Sequence, residues 1–86
     1  MMETQVPKIV KVEWKDATSI QEEAMTMEQA KKEKLTDAET IGYLIHEDEE
    51  KTIIASFVFI DNENMKIFPK GIHLIPTKSI HQIIEL

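Results

Sequence analysis

The sequence predicts a small all-β protein, a barrel of about five strands that carries one short inserted helix. Short stretches in which apolar and polar residues alternate recur along the chain, and residues that favour turns separate them. The chain has 86 residues, of which 42% are hydrophobic and only 2 are Gly, so it suits one folded domain spanning residues 1–86. Cysteine is absent, so apolar burial must stabilise the fold without disulfides. A barrel of this size is marginal as a single chain, which favours self-association.

The first strand is predicted near the N-terminus, where the apolar residues have a period of two. In residues 8–15, Val10, Val12 and Trp14 alternate with Lys and Glu. That alternation is typical of a strand with one buried face. We therefore expect these three side chains to pack in the core.

A short amphipathic helix is predicted next, as an insertion over residues 19–34. Ser19 and Glu22 have the spacing of a capping box, and apolar residues follow at helical intervals. The second half of this segment is mostly charged, so we expect one side of the helix to lie over a barrel opening and the other side in water. Residues 36–40 are predicted to be a connector.

Two apolar runs in the middle of the chain predict a β-hairpin. In residues 41–46, large apolar residues at 41, 43 and 45 alternate with Gly42, Leu44 and His46, and a second run at residues 52–60 follows a polar stretch. The second run is apolar on both faces, which is typical of a strand that is central in a sheet or is covered by another element or subunit. We therefore expect a homo-oligomer joined through this strand or its neighbours.

The C-terminal third is predicted to contain several short elements separated by turn residues. Pro76 ends one of the strands, because proline cannot donate a backbone hydrogen bond to a neighbouring strand. The elements in chain order are a turn at 61–65, a short strand at 65–68, a bend at 69–71, a strand at 72–75, a helical turn at 77–80 and a last strand at 82–86.

The charges divide the chain into an acidic body and a basic C-terminal stretch. Residues 1–63 contain 7 Lys and 15 Asp or Glu, whereas residues 64–84 contain Lys66, Lys70 and Lys78 and no acidic residue. The net charge is −6, and all 10 basic residues are Lys. These features disfavour sequence-specific DNA binding, which commonly uses Arg, and they disfavour general binding to nucleic acids. They suit a small anionic ligand or an acidic partner.

Several functional classes lack their usual signature. The first ten residues have no basic end followed by an apolar run, and the longest apolar stretch is residues 57–60, so we expect neither a secretory signal nor a membrane span. His46 is followed directly by Glu47 and Asp48, a solvated strand end rather than a set of metal ligands. We predict no metal, no cofactor, no catalytic residue and a cytoplasmic protein that is not an enzyme.

A ligand site is predicted around the basic stretch. A bend with free backbone N–H groups beside hydroxyl and ammonium groups can hold a phosphate, and aromatic rings can stack a base. Ordinary turn chemistry is the alternative, and we favour it for the turn residues because Pro, Gly, Ser and Thr are common in turns. The predicted ligand-binding residues are Tyr43, Phe68, Lys70, Gly71, Thr77, Lys78 and Ser79.

A second candidate site is the acidic run between the two strands of the hairpin. Its four residues, Glu47, Asp48, Glu49 and Glu50, would imitate nucleic-acid phosphates and dock on a basic groove of another protein. The alternative is a solvated turn that keeps an exposed hairpin from aggregating. We favour the solvated turn, because four acidic residues are few for such mimicry.

Four segments carry a resemblance to a known group of proteins: VEWKDA at 12–17, TIGYLIHED at 40–48, TIIAS at 52–56 and IPTKSIHQIIEL at 75–86. In this order they resemble small, mostly uncharacterised β-barrel proteins encoded by bacteriophages and prophages. The last segment is similar to the strand, tight turn and strand that end SH3-like and Sm-like barrels. The chain departs from the group after the first strand, where members often have Gly-Trp. The resemblance implies a phage accessory protein that acts by binding.

Three functional hypotheses follow from the charge pattern and the resemblance. The first is a non-catalytic counter-defence protein that sequesters a small anionic ligand, such as a nucleotide immune signal, in the cytoplasm of the host bacterial cell. The second is a protein inhibitor that docks on a host defence enzyme through the acidic hairpin and the helix. The third is a structural or assembly factor of the virion.

Overall fold

Five strands, one short helix and one 3-10 turn are the regular elements of residues 5–16 and 24–86, the parts of the chain that the computed structural model describes. The predicted small all-β fold with five strands and one short helix is confirmed. The elements are β1 (Ile9–Asp16), the helix α1 (Met27–Lys31), β2 (Thr36–Glu47), β3 (Lys51–Asp61), β4 (Lys66–Pro76), the 3-10 turn (Thr77–Ser79) and β5 (Ile80–Glu85).

The strands form one antiparallel sheet in the order β4-β3-β2-β1-β5. β1 to β4 follow one another as a meander, and β5 returns to pair with β1. β4 and β5 are therefore the two edges, and no pairing between them closes the sheet within the described residues. Closure into a barrel stays a prediction.

β2 is longer than the sequence predicts, because it begins at Thr36. Residues 36–43 pair with β1, and residues 43–47 pair with β3. The predicted connector at 36–40 is therefore wrong. These residues lack an apolar pattern, and it is the backbone ladder with β1, in which Asp16 lies opposite Thr36, that makes them a strand.

The buried core is small, and side chains of β1, β3 and β4 form it on one face of the sheet. Val10 and Val12 of β1 pack with Ile54 of β3 and Ile75 of β4. The burial of the two valines confirms the predicted inner face of the first strand. Four partly buried apolar side chains pack around this cluster: Trp14, Leu44, Ile80 and Ile83.

The helix α1 is shorter than predicted. Thr26 is its N-cap: the Thr26 hydroxyl accepts a hydrogen bond from the Gln29 N–H (3.1 Å), and the Gln29 side chain accepts one from the Thr26 N–H (3.0 Å). The predicted capping box at Ser19 lies outside the described residues. Within residues 24–34 only five are helical, and none of them is buried. Local capping, rather than packing against the sheet, therefore defines this helix.

The predicted bend at residues 69–71 is wrong, because β4 runs without interruption through Pro69 and Gly71. Proline is tolerated there because β4 is an edge strand with one side unpaired. Gly71 has a φ of 70°, in the left-handed region that favours glycine. A Cβ at Gly71 would lie 2.8 Å from the Cβ of Ser56 on β3, so the two strands approach closely at this point.

The other C-terminal elements match the sequence more closely. Residues 62–65 form the turn between β3 and β4, and β4 ends at Pro76 as predicted. The predicted helical turn is the 3-10 turn Thr77–Ser79. The last strand begins at Ile80, two residues earlier than predicted.

β3 and β4 continue beyond the rest of the sheet as a two-stranded ribbon. β2 pairs with β3 only as far as Ala55, whereas β3 and β4 stay paired as far as Asp61 and Lys66. We call residues 56–71, the ribbon with its turn, the hairpin arm. The molecule is accordingly elongated, with a radius of gyration of 17.4 Å, against about 12 Å for a compact domain of this length.

Candidate functional site

One face of the hairpin arm brings aromatic side chains together with a lysine. Phe57 lies opposite Lys70, and Phe59 lies opposite Phe68. Residues that are paired across two strands project to the same face of a sheet, and so do residues two apart along one strand. The register therefore collects these four side chains on one surface, which we call the aromatic face.

The members of the aromatic face interact directly. The ring centroids of Phe57 and Phe59 are 5.4 Å apart, and the rings meet edge to face at 84°. The ammonium nitrogen of Lys70 lies 6.0 Å from the Phe57 centroid and 5.8 Å from the Phe59 centroid. The attraction between the cation and the electron-rich ring faces helps to hold Lys70 over the two rings.

The aromatic face is exposed to solvent. Phe57 is 44% exposed, Phe59 54% and Phe68 51%. Single exposed apolar residues are normal in proteins, but a contiguous exposed patch commonly marks an interaction site. Of the surfaces in the described residues, we take this face as the strongest candidate for binding.

Lys66, Lys70 and Lys78 take part in none of the ion pairs of the described residues. The ion pairs of the described residues join carboxylates to other basic side chains: Lys8–Glu85, Lys11–Glu13, Lys15–Asp37, His46–Asp48 and Lys51–Asp48. The hydrogen bond from Lys15 lowers the pKa of the Asp37 carboxyl. These pairs involve the carboxylates of Glu13, Asp37, Asp48 and Glu85. The charges of Lys66, Lys70 and Lys78 are therefore not neutralised by an ion pair within the described residues.

The seven predicted ligand-binding residues do not form a single pocket in one chain. Phe68, Lys70 and Gly71 belong to the hairpin arm, whereas the 3-10 turn Thr77–Ser79 lies beyond the opposite end of β4. From Lys70 to the end of β4 the extended backbone covers about 20 Å. Tyr43 lies in β2, one strand away from β4 with β3 between them.

Thr77 has a role within the protein that accounts for its hydroxyl group. The Thr77 hydroxyl donates to the backbone carbonyl of Asp48 (2.7 Å), and the Thr52 hydroxyl lies 3.0 Å from the Thr77 oxygen. A hydroxyl has one proton, so Thr52 must be the donor to Thr77. Because Thr52 is fully buried, Thr77 satisfies a group that has no access to water. This hydroxyl is already committed within the fold.

Lys78 lies beside the acidic turn rather than beside Lys70. Together with Glu49, Glu50 and Pro76 it lines a cleft of 390 Å³. The structure therefore brings one predicted ligand residue next to two predicted partner-binding residues, which the sequence did not indicate. The neighbouring carboxylates make this cleft less favourable for an anion than the surroundings of Lys70.

Asp48 organises the acidic turn. One of its carboxylate oxygens accepts hydrogen bonds from the N–H groups of Glu50 (2.8 Å) and Lys51 (2.7 Å), and the other lies 2.7 Å from the Nε2 of His46. These bonds, the one from Lys51 first, lower the pKa of the Asp48 carboxyl well below its usual 3.8. Asp48 therefore has a structural role in the turn, and the other three acidic side chains of the run are exposed.

A cleft beside Trp14 was not among the predicted sites. The Trp14 indole N–H donates to the Thr40 hydroxyl (3.0 Å), and the register of β1 with β2 places Glu13 opposite Glu39. The cleft has a volume of 320 Å³. Residues of β1 and β2, together with His81 of β5, line it. Residues 37–39 of β2 form part of its lining, and their pairing with β1 has no signal in the sequence.

Within residues 5–16 and 24–86, no three side chains of the types that bind metals come close enough to hold an ion. In the same residues, no helix combines the length and the apolar character needed to cross a membrane. Comparison with protein-family models, curated proteins and solved structures gives no match. The case for a function therefore depends on the geometry of the described surfaces.

Proposed function

We propose that this protein acts by binding, without catalysis, and that the aromatic face of the hairpin arm takes a small anionic ligand of the nucleotide type. The observation that carries the proposal is the position of Lys70. Its ammonium group lies over two exposed aromatic rings and has no carboxylate partner in the described residues. A cation next to free ring faces matches a ligand with a phosphate group and a planar base.

The two parts of such a ligand use different side chains. The ammonium group of Lys70 attracts the phosphate as a point charge. The base stacks on an exposed ring, for which Phe68 is the first choice because Lys70 lies over Phe57 and Phe59. Stacking of one base on an aromatic side chain contributes about 1–3 kcal/mol. The net charge of −6 repels long polyanions more than it repels a single nucleotide.

The proposed ligand site differs from the set of ligand-binding residues that the sequence predicts. Phe68 and Lys70 stay in it, and Phe57 and Phe59 join them. Thr77 and Lys78 are left out, because the Thr77 hydroxyl is committed to Asp48 and Lys78 shares a cleft with carboxylates. The resemblance to phage-encoded proteins favours a nucleotide immune signal of the bacterial host as the ligand and the host cytoplasm as the place of action.

Isothermal titration calorimetry with a panel of linear and cyclic nucleotides tests the proposal. We expect binding heat for at least one nucleotide. Lys70→Gln should weaken that binding at least about tenfold, as the loss of one charge-assisted contact predicts. The matched control is Lys31→Gln, which makes the same charge change on the exposed helix α1. No heat with any nucleotide, or an equal loss in both variants, would remove the proposal.

Two observations favour a second candidate function, the inhibition of another protein. The helix α1 has no buried residue, and Met27 at its start is 76% exposed. Glu47, Glu49 and Glu50 are exposed too, and they form no ion pair within the described residues. A basic partner protein would use both features. Reversing these three charges to Lys should then abolish inhibition of a host defence enzyme and leave nucleotide binding unchanged.

A further inference from the structure

The chain exposes more surface than a compact protein of its mass. Its accessible surface is 7085 Å². A compact monomer of 10.0 kDa would expose about 5,200 Å², which is about 1,800 Å² less. A stable protein interface hides about 800 Å² on each partner. The excess is therefore large enough to supply one full interface.

The hairpin arm contributes exposed apolar side chains to this surface: Phe57, Phe59, Ile60 and Phe68 are each 44–54% exposed. Among residues 5–16 and 24–86, its two strands pair only with each other, and both of its outer edges are unpaired. Both faces of the arm carry apolar side chains. One face has Phe57, Phe59 and Phe68, and the other has Val58 and Ile60. An isolated two-stranded hairpin is only marginally stable in water. The arm gains stability when another surface covers it.

We propose that a second copy of this chain covers the arm, and that the aromatic faces of two arms pack together about a twofold axis. Asp61 and Lys66 lie opposite each other at the tip of this face, next to the aromatic rings. A patch of aromatic rings is compatible with itself, as such a symmetric contact requires. Charge favours the same contact. Each copy has a net charge of −6, whereas the arm has no net charge, because Asp61 and Glu63 balance Lys66 and Lys70. Contact through the arms therefore keeps the two acidic bodies apart.

The dimer also completes the ligand site, and this step rests on the proposed function. A single open face contacts a ligand from one side, whereas ligand pockets commonly bury about 70–90% of the ligand surface. Two aromatic faces enclose the ligand from both sides. They also bring two Lys70 ammonium groups into one interface, where they repel each other unless an anion lies between them. Nucleotide binding should therefore strengthen the dimer.

Light scattering after size-exclusion chromatography tests the dimer. The chain mass is 10.0 kDa, and we expect twice that mass for the wild-type protein. Phe59→Ser should raise the dimer dissociation constant at least about tenfold, since central aromatic residues dominate interfaces. The control is Leu35→Ser, because Leu35 is 55% exposed, as Phe59 is at 54%, and lies outside the arm. Circular dichroism verifies that both variants are folded.

Cross-linking locates the contact independently. The chain has no Cys, so Lys70→Cys introduces a single thiol into the aromatic face, and a short bismaleimide should join two copies through it. Lys31→Cys on α1 should give no such product. A wild-type mass other than two copies, an undiminished dimer in Phe59→Ser, or equal cross-linking of both cysteine variants would overturn the proposal.

The outcomes separate the dimer from the proposed function. A dimer that depends on Phe59 but gives no heat with any nucleotide supports the interface and removes the ligand. Nucleotide binding by a protein that stays at 10.0 kDa in the same solution overturns the dimer and leaves the ligand in place.

Discussion

Replacing Thr77 with valine should destabilise the protein more than replacing Thr52 with valine, although Thr52 is the more deeply buried of the two. The reason is the direction of the hydrogen bonds. Thr77 donates to the backbone carbonyl of Asp48, so the Thr52 hydroxyl must donate to Thr77. Thr77 is therefore both the donor of one bond and the acceptor of the other.

The magnitude follows from what each change leaves without a partner. Thr77→Val leaves the Thr52 hydroxyl without a hydrogen-bond partner, and Thr52 is 0% exposed. A buried polar group without a partner costs about 1–3 kcal/mol, and the loss of Thr77's own bond to a backbone carbonyl adds about 1 kcal/mol. The total decrease in the free energy of unfolding is then about 2–4 kcal/mol. Thr52→Val leaves Thr77 bonded to the carbonyl and should cost less than about 1 kcal/mol.

Urea unfolding at one fixed protein concentration measures these changes, because self-association would also contribute to stability. In the double variant there is no Thr52 hydroxyl to lose its partner, so Thr77→Val should add only about 1 kcal/mol to the cost of Thr52→Val. The cost of the double variant should therefore be smaller than the sum of the two single costs by about 1–3 kcal/mol, which is the coupling energy. Thr77→Ser keeps the hydroxyl and serves as the control. Equal costs for the two single valine changes, or costs that simply add, would refute the hydrogen-bond directions.

Three further predictions concern the core, the arm and the acidic turn. Ile54→Ala, at 0% exposure, should lower the free energy of unfolding by about 2–5 kcal/mol in urea titrations; a loss below about 1 kcal/mol would contradict the core. Gly71→Ala should cost at least about 1–2 kcal/mol, because residue 71 has a left-handed φ and an added Cβ meets Ser56; wild-type stability in the same titration would contradict that backbone. The lowered pKa of Asp48 means that its contribution to stability is complete above 3.8 and is lost as the pH falls below that value. Thermal unfolding between pH 6 and pH 2 should therefore show a weaker acid dependence in Asp48→Asn than in wild type, and identical profiles would argue against it.

The sequence pattern identifies strands wherever one face is buried. Val10 and Val12 alternate with charged residues, and this alternation predicts both β1 and its inner face. Residues 36–40 have no such alternation, because they pair along β1 near its open end where little is buried. Pro69 and Gly71 suggest a bend in any local reading of the sequence. Their strand lies at an edge, where proline is tolerated, and edge position depends on the whole topology.

The sequence predicts one property of the candidate site, the unpaired charge of Lys70, but not the arrangement of its side chains. The absence of acidic residues between positions 64 and 84 predicts that Lys70 lacks an ion-pair partner, which agrees with the described contacts. The position of Lys70 over Phe57 and Phe59 depends on the register of β3 with β4, which a four-residue turn sets. The partner of Thr77 is 29 residues away in the chain, so no local pattern reveals its structural role.

The most direct test of the account is a two-dimensional amide NMR titration of the wild-type protein with a nucleotide that gives binding heat. Amide signals of Phe57, Phe59, Phe68 and Lys70 should shift most, because these residues form the aromatic face. Shifts concentrated at Lys78 and the acidic turn, or the absence of shifts in the hairpin arm, would contradict it.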